Sequence, residues 1–130
     1  MDKQPSPPLD YDLVHEVPPM TPNQLLDAYK HNRALFDAWY FEQRKLTDAE
    51  PTSGKGYQLS VELSKIQHAA GDTQEALETL NGANEAVTNE LIEVARAGSP
   101  LSKIPDKEAY QRTLKSLLQQ IIYLRSEFRR

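Results

Sequence analysis

At 130 residues the chain is long enough for one domain and too short for two ordinary ones. Hydrophobic residues make up 38%, which leaves part of the chain outside a core, and the lack of cysteine excludes disulfides, thiolate chemistry and cysteine-ligated metal. The net charge of −4 divides into 9 basic and 16 acidic side chains through residue 105, against 6 and 3 beyond it. This acidic balance argues against nucleic acid, whose phosphates need clustered Lys and Arg.

The first twenty residues, "MDKQPSPPLDYDLVHEVPPM", hold five of the nine prolines and no apolar periodicity. Such a segment cannot bury enough surface to offset its ordering entropy, so residues 1–20 read as a disordered proline-rich tail. A helix over 21–46 follows, with Thr21 as N-cap, Pro22 in the first turn and Gln24 closing a capping box. Met20 and Leu25 are placed for a hydrophobic staple. Leu25, Leu26, Tyr29, Phe36, Trp39 and Tyr40 recur at helical spacing, an aromatic core stripe from which Phe41 departs.

Next comes "TDAEPTSGKG". Its "GKG" lacks the first glycine and the Ser or Thr of a phosphate-binding loop, and a helix precedes it where that loop needs a strand. It reads as a helix-to-helix linker built from breakers.

The spacing predicts three more helices. The first spans 57–70, with Leu59, Leu63, Ile66 and Ala70 on one face and Gly71 as C-cap. The second spans 73–97, with Asp72 and Glu75 as a capping box and a seam of Leu77, Leu80, Asn84, Val87, Leu91 and Val94. The last, 106–130, has the most regular seam: Tyr110, Leu114, Leu117, Ile121, Leu124 and Phe128. Leu118 and Ile122 lie on an adjacent line with Arg125 and Arg129, a widened apolar face able to take a second neighbour or a visiting peptide. No segment alternates like a strand, so the fold class is all-α, an antiparallel bundle of about four helices.

Catalytic chemistry is not legible in this pattern. His15, His31 and His68 show no ligand spacing and read as isolated surface side chains, and no serine elbow is present. Glu90 and Glu93 share a helix face without an apolar pocket to raise a carboxyl pKa. The expectation is a non-enzyme that needs no cofactor or metal. No apolar run approaches the roughly 20 residues of a membrane span, and the start lacks a secretory signal. That leads to the expectation of a cytoplasmic protein without direct membrane insertion.

The stretch Tyr57–Val87, "YQLSVELSKIQHAAGDTQEALETLNGANEAV", resembles a tetratricopeptide helix pair: "AGD", then "EAL", then a small residue seven positions beyond its alanine. Gln67 stands where that pattern has a tyrosine, and a solenoid would need about three repeats where one is found. Residues 57–130 resemble an MIT (microtubule interacting and transport) domain, a three-helix bundle whose first two helices look like such a pair. The elongated second helix and the ending "IIYLRSEFRR" carry that resemblance. The family usually has an acidic residue between "YL" and the arginine, whereas here Arg125 follows Leu124 directly.

The resemblance implies an adaptor, in membrane trafficking of the ESCRT type. It would bind a partner helix between the last two helices, or an extended proline-containing segment between the first and third. Glu90, Leu91, Leu118, Ile122 and Arg125 are the candidates read from the residues, and the family pattern supports Tyr123, Leu124, Arg125 and Glu127. The tail's "LVHEVPPM" loosely resembles the proline-containing ligands themselves. A different class also accommodates the sequence: a structural subunit or chaperone-like component packing its heptad seams on another chain, as a homo- or hetero-oligomer.

Overall fold

The structure, a computed structural model, describes residues 20–130. The proline-rich tail, residues 1–19, and the ligand-like motif within it lie outside the described residues. Those described are all-α, with five α-helices, one short 3-10 helix and no strand. They divide into two compact units, the first ending at Ala49 and the second running from Glu50 to Arg130.

The first unit is a helical hairpin. α1, Pro22–His31, opens on the expected capping box: Thr21 N–H donates to Gln24 Oε1 at 2.9 Å and Gln24 N–H to Thr21 Oγ1 at 3.2 Å. The single helix expected over 21–46 is two helices, because Asn32 leaves helical geometry (φ −147°, ψ 71°). Its side-chain oxygen caps the next helix by accepting from Leu35 N–H at 3.3 Å. α2, Arg33–Asp48, follows at once. Asn is a strong N-cap, and here that preference overrides an apolar period running straight through the site. Residues seven apart in a straight helix are separated by about 10 Å along its axis. With the break, Tyr29 and Phe36 meet edge to face at 5.1 Å between ring centroids, and Arg33 lies 3.7 Å over the Tyr29 ring.

The second unit is a three-helix bundle of α3 (Lys55–Ala69), α4 (Thr73–Ala95) and α5 (Lys107–Phe128), with a 3-10 helix at Pro100–Lys103 between the last two. The ends differ from the sequence expectation by one or two residues, as helix termini do. Two caps differ in kind. Asp72 makes no side-chain cap bond to the first turn of α4, and Asp106 enters α5 in the left-handed region (φ 54°) without a side-chain cap bond. Contacts fix the directions. Gln67 meets Thr79, Glu90 meets Tyr110 and His68 meets Phe128, so α3 and α5 run parallel with α4 antiparallel to both.

Val61, Leu80, Val87, Val94, Leu114 and Ile121 are fully buried and form the centre of the core. Burying each such side chain stabilises the fold by about 1.5–3 kcal/mol. The α5 seam is as expected, with Tyr110, Leu114, Leu117 and Ile121 buried and Leu124 and Phe128 packed against them. The α4 seam sits differently. Its buried residues are Ala76, Leu80, Ala83, Val87 and Val94, so the anomalous Asn84 is only half-buried beside Ala83. Alanines at the closest approach leave room for neighbouring helices that Leu77 and Asn84 would fill.

On α3 the buried face is Leu59, Val61, Ser64 and Gln67, rather than one centred on Leu63 and Ile66. The two polar members are satisfied: Ser64 donates to Val61 C=O at 2.6 Å, and Gln67 Oε1 accepts from Thr79 at 2.8 Å. His68 is half-buried rather than isolated at the surface. It stacks on Phe128 at 4.0 Å, with Nδ1 2.9 Å from the Thr73 hydroxyl.

Candidate functional site

Within the bundle α4 packs along both neighbours, whereas α3 and α5 meet over a much shorter stretch. The open side of the unit is therefore the α3–α5 side. A cleft of about 570 Å³ lies there, lined by Gly54, Lys55, Gln58, Arg112, Thr113 and Gln120 among others, with Leu117 at its apolar floor. The Gln58 and Gln120 side-chain amides bridge the helices with reciprocal bonds of 3.3 Å.

The "GKG" segment forms one end of this cleft. Gly54 is buried in the left-handed region (φ 79°), and a Cβ there would lie 2.7 Å from the Thr113 methyl. A side chain at this point would collide with α5, so the glycine serves close packing. Lys55 bonds Glu50 at 2.9 and 3.1 Å, and its N–H donates to Ser53 Oγ at 3.1 Å.

The residues singled out from sequence separate into two groups. Glu90, Leu91, Leu118 and Leu124 face inward. Leu91, Leu118 and Leu124 pack on the core, and Glu90 accepts from the Tyr110 hydroxyl at 2.6 Å. Burial first, then the Glu90 carboxylate, raises the Tyr110 pKa, and the same causes raise that of Tyr57. Glu90 is thus held between phenols from α3 and α5, a role that spacing alone did not reveal.

Ile122, Tyr123, Arg125 and Glu127 share the last turns of α5. Ile122 is 60% exposed and Tyr123 63% exposed. Glu127 pairs with Arg130 at 3.4 Å. Arg125 is half-buried, and its Nε is sealed from solvent without an acceptor among the described residues. A cleft of about 390 Å³ runs along this face past Ile122, Arg125, Ser126, Arg129 and Arg130.

The hairpin carries a separate cleft of about 650 Å³ past Met20, Asn23, Asp27 and Leu35, with Asp27 its one charged side chain among the described residues. No cluster of His, Cys, Asp or Glu suited to a metal ion occurs among the described residues, and none of their helices is long and apolar enough to cross a membrane. The chain matches no family model, no curated protein and no solved structure.

Proposed function

We propose that this chain is a non-enzymatic protein–protein interaction adaptor that receives a partner helix or short peptide on its C-terminal bundle. The observation that carries this reading is the state of α5. Its inward seam is saturated by α3 and α4, yet Ile122 and Tyr123 stand adjacent and more than half exposed on its outer side. Exposed apolar surface is unfavourably hydrated and gains free energy when a partner covers it, so large apolar side chains left exposed on a folded helix mark an interaction surface.

The α3–α5 cleft supports a second subsite for an extended segment, since its glutamine amides and Arg112 offer donors and acceptors to a peptide backbone. The α3–α5 cleft lies on the side where the MIT resemblance of residues 57–130 implies an extended ligand, and membrane trafficking of the ESCRT type in the cytoplasm is the biological setting it implies. The test is Ile122→Asp. A charge on the outer face should abolish binding to a panel of helical and proline-containing peptides while far-UV helicity and Tm stay within error. Loss of the fold instead would make Ile122 a core residue and remove the surface from consideration.

A second reading draws on a different observation. Leu35, Phe41 and Leu46 of α2 are 38%, 58% and 55% exposed, as in a subunit that packs a helix against another chain. A concentration-dependent mass in light scattering, abolished by Phe41→Ser with Leu46→Ser, would favour it.

A further inference from the structure

The cleft at the end of α5 has a charge pattern of its own. Three of its five lining side chains are guanidinium groups, Arg125, Arg129 and Arg130, and no carboxylate lines it among the described residues. Arginines in the last turn offset the negative end of the helix dipole, which accounts for some positive charge there. It does not account for a further feature: Arg125 and Arg129 stand four apart on one face, where like charges repel, and neither has an ion pair among the described residues. A carboxylate placed between these guanidinium groups would relieve that repulsion.

We infer that this cleft recognises an acidic peptide segment of a protein partner, with carboxylates bound by Arg125 and Arg129 and an apolar side chain covering Ile122. Arginine's fork suits it to carboxylate, and the exposed Ile122 supplies the apolar contact that charge alone lacks. The inference rests on the adaptor reading and specifies the sign of the partner's charge.

The test uses the full chain and a fluorescein-labelled decapeptide rich in aspartate and leucine, with a control peptide carrying lysine at each aspartate. The acidic peptide should bind and the lysine peptide should not. Arg125→Gln and Arg129→Gln should each weaken binding about tenfold, and Arg125→Lys should not restore it, because an ammonium lacks the fork. Arg129 is exposed, so its variant reports on the cleft even if Arg125→Gln disturbs folding.

Three results would overturn the inference: equal binding of the lysine peptide, acidic-peptide binding indifferent to both arginines, or binding only to vesicles of anionic lipid with none to the peptide. Failure of the adaptor reading looks different, with no peptide of either sign or type bound and Ile122→Asp without effect. Lysine-peptide binding lost in Ile122→Asp would keep the adaptor and discard the acidic partner.

Discussion

The bundle and the hairpin are both built from amphipathic helices, yet they solve burial differently. In the bundle three helices turn their seams inward, and seven Val, Leu and Ile side chains reach complete or near-complete burial. In the hairpin two helices share an aromatic cluster of Tyr29, Phe36, Trp39 and Tyr40, while Leu35, Phe41 and Leu46 stay exposed. Glu42 is buried there with one carboxylate oxygen lacking a hydrogen bond among the described residues, the Lys45 ammonium standing 3.8 Å from it. A third helix lets each inward seam find a partner, with Ile92, Ile122 and Tyr123 exposed off those seams; two helices leave more of the stripe itself over.

The largest expected effect breaks the bundle alone. Leu80→Ala leaves a cavity at a fully buried site and should cost about 2–5 kcal/mol, read as a lower denaturant midpoint. Phe41→Ser on the hairpin should change stability by no more than about 0.5 kcal/mol. Equal losses would erase the distinction between the units.

A smaller effect is expected at Gly54. Gly54→Ala combines the left-handed penalty with the Thr113 collision and should destabilise by about 1–3 kcal/mol. Adding Thr113→Ala should recover the steric part and leave the backbone part.

The smallest loss expected within the bundle involves Tyr110. Tyr110→Phe removes the bond to Glu90 and should cost about 1–2 kcal/mol at neutral pH. Both phenols have pKa values raised from 10.0 in the fold, so their stabilisation is complete below pH 10 and declines as pH rises above it, where the unfolded phenols ionise first. Denaturant midpoints measured from pH 8 to 11.5 should fall less steeply above pH 10 in Tyr110→Phe than in the parent.

Much of the fold was legible because helical spacing is a direct image of burial. The α5 seam, alternating steps of four and three, contains every buried residue of that helix, and its last two members pack partly buried against them. The α4 seam misled by one position at two sites, since pattern reading favours Leu77 over Ala76 and gives little weight to Ala83, whereas close helix packing selects alanine. The break at Asn32 was hidden because the apolar period continues across it, and only the cap bond to Leu35 reveals the new start.

For the candidate site, Ile122 could be read as surface from its place off the seam, but Glu90 could not be read as a tyrosine acceptor. That role depends on Tyr57 and Tyr110 arriving from two other helices. The residues lining the α3–α5 cleft left no periodic signal, because Gln58 and Gln120 lie 62 positions apart and carry no period.

Hydrogen exchange of the full chain, followed by mass spectrometry, tests the central claim of a self-supporting bundle most directly. Amides of α3, α4 and α5 should share one slow, cooperative opening, while those of α1 and α2 exchange sooner. Rapid exchange of α5 independent of α3 and α4 would contradict the account, because the outer face carrying Ile122 and Arg125 would then have no folded bundle behind it.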